Sequence, residues 1–309
     1  MSLAKEDFEI CQRITRQGGS NLALVSRTLV KPLQMLFAPT YASMRLIDDL
    51  VDEDFLTLPI EDRDIQRQAY LDRISAWEDA CIKAANGEFF KPDFAFKLPE
   101  GEAISIFRLL SQTAGQSNLG ALPWQVMASA MSRDVNEIPI RDWNDFEDYS
   151  WGATVSPTAV YLYILTADYQ SGIYTGISGS DLMDKAKGMG LFCYLVHIAR
   201  DLIKDAVKAD QLLTLPQELL NDLGETYTQE EIRYLICEIL KQAESYLDAI
   251  DVCRDELQPH MSLRNLTIFK SLLGLYMTMF EKMKNDPLAM LDDGFEEKLR
   301  QQDDLLNAS

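Results

Sequence analysis

Tyr41-Ala-Ser-Met-Arg45-Leu-Ile-Asp48-Asp49-Leu-Val-Asp52-Glu53 and, farther along, His197-Ile-Ala-Arg200-Asp201-Leu-Ile-Lys-Asp205 are the two stretches that decide how this chain is read. In each, one aspartate precedes another by four residues, so on a helix both carboxylates lie on one face. Like charges at that spacing cost a helix about 0.2–0.5 kcal/mol, and aspartate is a poor helix former. A chain that breaks the same local rule twice, in the same way, points there to chemistry rather than packing. Arg45 stands three residues before Asp48, and Arg200 is adjacent to Asp201. Carboxylates grouped with an arginine suit Mg2+ held together with a phosphorylated substrate.

Each cluster ends an apolar helical stretch. Val30 to Ile47 is mostly apolar and runs into Asp48-Asp49; Met189 to Ala199 is apolar almost all round and runs into Arg200-Asp201. A helix apolar on every side is a buried one. If the two helices face each other, their carboxylates meet at the mouth of an apolar pocket, a geometry that suits a substrate with an anionic head and a greasy tail. Helical periodicity dominates the rest of the chain and strand-like alternation is scarce. It predicts helices near residues 3–16, 31–53, 61–86, 101–117, 121–132, 143–168, 180–207, 228–256, 261–284 and 293–305, with prolines and glycines between them. Internal repeats, low-complexity tracts and linker-like composition shifts are absent. The expected fold is all-α: a single domain over residues 1–309, its helices bundled around a central apolar cavity.

Bulk chemistry narrows the function. The chain has 309 residues and a net charge of −20, from 49 acids against 29 bases. That balance excludes nucleic acid as a partner and disfavours electrostatic docking on anionic lipid. An anionic substrate entering so negative a protein needs divalent cations or local arginines to offset repulsion. The five cysteines are scattered, odd in number and form no CxxC pair, the pattern of a reducing compartment. The first residues lack a signal peptide's apolar core, and the apolar run 189–199 is too short to span a bilayer. These features predict a cytoplasmic protein without a transmembrane segment. Peripheral membrane contact and oligomeric state stay open.

Blander readings apply to most other features. Asp251 and Asp255 repeat the four-residue spacing, but acids and bases surround them, so they read as a solvated helix face. His197, within an apolar run, reads by default as a hydrogen-bonded core histidine. Gly18-Gly19-Ser20 lacks the lysine and the strand of a phosphate loop. Tyr41, Tyr149, Trp151, Phe192, Tyr194 and Tyr276 read singly as core residues, a few of which line a cavity.

Taken together, these residues resemble the squalene/phytoene synthase family of head-to-head prenyl diphosphate synthases. Tyr41-Ala-x-x-Arg45-x-x-Asp48-Asp49-x-x-Asp52-Glu53 is similar to the family's first aspartate-rich motif. Arg200-Asp201-x-x-x-Asp205, followed by Leu215-Pro216, is similar to its second. Tyr149-Ser-Trp151-Gly152-x-x-Val155 loosely resembles the tyrosine-rich helix, Ser20-Asn-Leu-Ala-Leu the N-terminal diphosphate-binding segment, and Leu275-Tyr276 a tyrosine on the late helix. The resemblance is strongest over residues 18–285. It departs in the second motif, where Tyr194 and His197 occupy places that usually hold Gln and Asn, and where Leu212-Leu-Thr214 replaces an Arg-x-Tyr.

The resemblance implies an isoprenoid-synthase fold and a head-to-head condensation of two farnesyl or geranylgeranyl diphosphates. The product forms through a cyclopropylcarbinyl diphosphate, with or without reduction by NADPH. It further implies Asp48, Asp49, Asp52, Asp201 and Asp205 as ligands of Mg2+, with Asp48, Asp52, Asp201, Asp205 and Tyr149 in catalysis. Ser20, Tyr41, Arg45, His197, Arg200 and Tyr276 are the implied contacts to the prenyl diphosphate. Two alternatives stay open: a family member with altered or lost catalysis that binds prenyl diphosphate or assembles with a partner, and another terpenoid enzyme using the same Mg2+/diphosphate logic.

Overall fold

The structure is a computed structural model. It describes residues 3–17, 22, 27–90, 96, 98, 101–208, 214–221 and 227–290, except the side chains of residues 3 and 203–208. Helix α1 spans Leu3–Gln17 and α2 spans Lys31–Asp49. Pro32 sits in the first turn of α2, where its missing N–H costs nothing. A π-helical turn, Leu50–Phe55, follows without a break. Next come α3 (Ile60–Ala85), α4 (Glu102–Thr113), α5 (Leu122–Val135) and α6 (Trp143–Ser150). A second π turn, Trp151–Val155, leads into the buried α7 (Ser156–Thr166). The antiparallel hairpin of β1 (Asp168–Gln170) and β2 (Ile173–Thr175) pairs Asp168 with Thr175. The chain continues as α8 (Gly179–Lys208), α9 (Gln217–Leu220), α10 (Gln229–Glu244), α11 (Leu247–Leu257) and α12 (Leu263–Asn285). None of the described helices is long and apolar enough to cross a membrane.

Two compact units make up the chain. One comprises Met1–Ile138, Tyr149–Lys187 and Cys253–Leu272; the other comprises Pro139–Asp148, Gly188–Val252 and Leu273–Ser309.

The first unit is organised around Ser43, near the middle of α2 and fully buried. The indole N–H of Trp77 on α3 donates to the Ser43 carbonyl at 2.8 Å, and that of Trp124 on α5 donates to its Oγ at 3.0 Å. Both tryptophans are fully buried, so each N–H needs this partner. Three helices are thereby registered at one residue. The short side chain of Ser43 donates in turn to the Thr40 carbonyl at 2.8 Å. Helix α1 is joined to α4 by a two-pronged pair, in which Arg108 Nε and Nη2 donate to the buried Asp7 carboxylate at 2.8 and 3.0 Å. The second π turn packs directly on α5: a Cβ on Gly152 would lie 2.2 Å from the Val126 carbonyl oxygen.

In the second unit, Ile232, Leu235, Ile236 and Ile239 form the buried stripe of α10. A capping box starts that helix: Thr228 Oγ1 accepts the Glu231 N–H, and the Glu231 carboxylate accepts the Thr228 N–H. Phe192 of α8 packs on Phe280 of α12 with ring centroids 5.4 Å apart.

Helix positions follow the sequence periodicity, but continuity does not. The stretch expected as one helix over 143–168 is α6, a π turn and α7; that over 31–53 changes to a π turn at Leu50. The stretch 228–256 breaks at Ser245-Tyr246, where the Tyr246 hydroxyl donates to Glu147 at 2.6 Å. The hairpin at 168–175 is too short to show alternation, and its turn places Ser171 and Gly172 at φ of 52° and 91°. The helix expected over 293–305 lies outside the described residues.

Ser43→Ala removes the acceptor of a buried indole N–H. It is expected to cost about 1–3 kcal/mol, measured by urea denaturation followed by tryptophan fluorescence. An unchanged midpoint would contradict the role given to Ser43.

Candidate active site

The first acidic cluster forms where α2 passes into its π turn. Single π turns within helices occur frequently at functional sites. Tyr41, half-buried, stacks its ring on Phe37 at 5.4 Å. One turn later Arg45 forks: Nη1 meets Asp48 Oδ2 at 2.9 Å, and Nη2 pairs with Asp49 Oδ1. Burial raises the Asp49 carboxyl above the ordinary carboxylate range, and Arg45 offsets part of that rise. Beside Arg45, Asp49 and Glu53 opens a cavity of about 300 Å³ that Phe96 and Leu98 close on its apolar side.

Asp52 lies in the π turn and keeps an exposed surface. Protein atoms nevertheless crowd its carboxyl. That desolvation, followed by the charges of Asp48 and Asp134, pushes it up to about 8. Asp134, near the end of α5, is pushed up to about 7 by burial and by Asp48; a hydrogen bond from Tyr149 and the charge of Arg133 act against the rise. The Tyr149 hydroxyl donates to Asp134 Oδ2 at 3.0 Å, and the Arg133 guanidinium lies over the Tyr149 ring at 5.9 Å. Tyr149 itself is buried, at the last turn before the second π turn.

Two arginines of α3 hold the end of this arrangement. Arg63 donates to the Leu58 carbonyl at 2.9 Å and to Glu137 at 2.8 Å, and Arg67 donates to Glu137 at 2.7 Å and also to the Val135 carbonyl. They bind the chain leaving the first π turn to the chain leaving α5. Glu137 accepts both arginines from a left-handed backbone, φ 51°. The two guanidiniums outweigh its partial burial and keep its carboxyl below the ordinary range.

The second cluster, in the other unit, has the opposite electrostatics. Arg200 Nε donates to Asp201 Oδ1 at 2.9 Å, and His197 Nε2 lies 3.1 Å from Asp201 Oδ2. Burial alone would raise the Asp201 carboxyl; the bonds from His197 and Arg200 outweigh it and hold the group well below the ordinary range. His197 corrects its default reading as a core histidine, because its side chain is 49% exposed. The helix around it is buried, with Leu195 and Val196 at 0% exposure, and His197 takes the face on which Asp201 lies one turn on. Tyr194 is half-buried and stacks on Phe146 at 5.8 Å.

The structure thus gathers Tyr41, Arg45, Asp48, Asp49 and Asp52 along one stretch of chain, and His197, Arg200 and Asp201 along another. Tyr149 joins the first group through Asp134. Tyr276 is half-buried on α12. Ser20 lies outside the described residues, as does the side chain of Asp205, whose backbone belongs to α8. Sequence reasoning missed Arg133 and Asp134. The signal was the Arg133-Asp134 dipeptide itself, which repeats Arg200-Asp201.

Among the described residues no three His, Cys, Asp or Glu side chains already stand together as a metal cage. Mg2+ needs none, since it commonly takes one or two carboxylates and completes its shell with water and phosphate oxygens. Asp48 and Asp52 are hard oxygen donors, and the Asp52 carboxyl is raised first by burial and then by the charges of Asp48 and Asp134.

Residues 15–298 match the squalene/phytoene synthase family. The chain belongs to that family. Among solved structures, it resembles a dehydrosqualene synthase in complex with ligand, at 19% identity and a TM-score of 0.66, over 99% of this chain and 98% of that one. It also resembles squalene synthase HpnC from Alicyclobacillus acidocaldarius, at 21% identity and a TM-score of 0.66, over 92% and 95%. No curated protein sequence matches it. At these identities the neighbours establish the all-α isoprenoid-synthase fold; the family match establishes membership.

The raised carboxyls give a pH dependence with a definite sign. Near pH 6 the folded chain holds protons on Asp52 and Asp134, with pKa values up to about 8 and 7. The unfolded chain, with aspartates at about 3.9, has already lost them. Stability therefore falls as pH rises through that window. With EDTA present, the melting temperature of the wild type is expected to drop between about pH 6 and pH 8.5, and Asp52→Asn to flatten the drop. Parallel profiles for the two proteins would contradict the assignment.

Proposed function

We propose that this protein condenses two prenyl diphosphates, farnesyl or geranylgeranyl, head to head. The reaction passes through a cyclopropylcarbinyl diphosphate to a squalene- or phytoene-type hydrocarbon. The observation that carries the reading is the end of α2, where Arg45 is forked between Asp48 and Asp49 with Asp52 one turn on, inside a chain matched by the family along most of its length.

Mg2+ would be held by Asp48, Asp49 and Asp52 and by Asp201 and Asp205; as a Lewis acid it neutralises charge developing on the departing diphosphate. Arg45 and Arg200 carry planar guanidiniums that grip phosphate oxygens in pairs. Each already spans carboxylate oxygens, so an arriving diphosphate exchanges one set of oxygen partners for another. His197 offers a ring nitrogen beside Asp201 for the same phosphate oxygens. The ring of Tyr41 follows Phe37 along α2 and presents an aromatic face, the kind of surface that stabilises an allylic cation. Departure of the first diphosphate leaves that cation, the double bond of the second substrate attacks it, and loss of a proton closes the ring of the cyclopropylcarbinyl diphosphate. Loss of the second diphosphate then allows rearrangement to the linear chain, ended either by proton loss or by hydride from NADPH.

One observation favours a second reading, in which the protein binds prenyl diphosphate without completing the reaction. Asp201 is already satisfied by His197 and Arg200, and His197 stands where the family usually carries Asn.

Incubation of the purified protein with each prenyl diphosphate, with and without Mg2+ and NADPH, separates the readings. Gas chromatography–mass spectrometry reads hydrocarbons, and liquid chromatography–mass spectrometry reads diphosphates. A Mg2+-dependent hydrocarbon is expected. Asp48→Asn and Asp201→Asn should each lower kcat by about 100-fold or more with the helical circular dichroism intact. Full activity in both variants would remove the assignment, and a cyclopropyl diphosphate or no product would favour the second reading.

A further inference from the structure

We propose that Asp134 is a positioning residue that acts through Tyr149, holding the phenol hydroxyl at the face of the first aspartate cluster. The inference rests on the head-to-head reading and adds a residue that lies outside both aspartate motifs.

Tyr149 is gripped by two consecutive residues of α5. Asp134 accepts its hydroxyl proton at 3.0 Å, and Arg133 lies over its ring at 5.9 Å. The segment that follows cannot drift from α5, because Gly152 packs on the Val126 carbonyl so closely that a Cβ would sit 2.2 Å from the oxygen. Tyr149 and Asp134 are therefore fixed to each other by backbone contact as well as by side chains. Asp134 in turn feels the charge of Asp48, and Asp52 feels that of Asp134, so the pair lies at the cluster.

The choice of side chain also argues for a task. The chain places a third acid beside two others, against the local electrostatic preference. Such a conflict marks function more often than packing. With its hydroxyl donating to Asp134 and Arg133 over its ring, Tyr149 is held in one orientation. That is how a side chain must be held to meet a substrate group at the cluster in a single geometry.

The test is a double-mutant cycle on the full chain, assayed with farnesyl and geranylgeranyl diphosphate. Asp134→Ala is expected to lower kcat about 10- to 100-fold, with KM changed by less than about twofold. Asp134→Asn, which keeps an oxygen acceptor, recovers most of the loss. Tyr149→Phe matches Asp134→Ala, and the double variant is no slower than either single one. Should the alanine variant fail to fold, Asp134→Leu carries the same cycle. Multiplicative losses, full kcat in Asp134→Ala, an asparagine variant as slow as alanine, or a rise in KM or in Mg2+ requirement at unchanged kcat would each overturn the proposal. An inactive wild type overturns the head-to-head reading and this proposal with it; an active wild type with uncoupled variants overturns this proposal alone.

Discussion

The end of α2 is governed by carboxyls drawn out of water close to one another, those of Asp48, Asp52 and Asp134. Like charges within a few ångströms are costly where protein has displaced water. The chain meets that cost with Arg45 on Asp48, Tyr149 on Asp134 and Arg133 nearby, and leaves Asp52 with its carboxyl raised to about 8. Such crowding is tolerated only if the surrounding structure is rigid. The two indoles on Ser43 and the Arg63–Arg67–Glu137 network supply that rigidity from opposite ends of the same stretch.

The two aspartate clusters look alike in sequence and differ in electrostatic state. In the first, Asp52 and Asp134 retain part of the repulsion. In the second, His197 and Arg200 converge on Asp201 and hold it ionised far below the ordinary range. Ion pairs stand at both clusters, Arg45 on Asp48 and Asp49 and Arg200 on Asp201, but at the first, burial leaves Asp49 and Asp52 raised. At the second cluster His197 stands beside Arg200 as a second partner of Asp201.

Both π turns fall at this chemistry, one directly after Asp49 and one directly after Ser150, beside Tyr149. A π turn is poorer in backbone packing than an α turn and persists where tertiary contacts impose it. Here the contacts are evident: Arg63 and Arg67 bind the exit of the first, and Gly152 packs the second onto α5.

Much of this was legible along the chain. Apolar periodicity located most helices, and repeated Arg/Asp spacing singled out Arg45, Asp48, Asp49, Asp52, Arg200 and Asp201, because neighbours three and four apart on a helix meet whatever the rest of the fold does. What escaped it needed distant partners. The π turns carry no local signal, the break at Ser245-Tyr246 coincides with a bond to Glu147 about a hundred residues earlier in the chain, and His197 is exposed although Leu195, Val196, Ile198 and Ala199 beside it are buried. Asp134 showed along the chain only as an Arg133-Asp134 dipeptide, because Tyr149 and Asp48, which set its environment, come from outside its own helix. Charges that share a helix can be read along the chain, but the environment that shifts them is assembled only when other helices bring their side chains and exclude water.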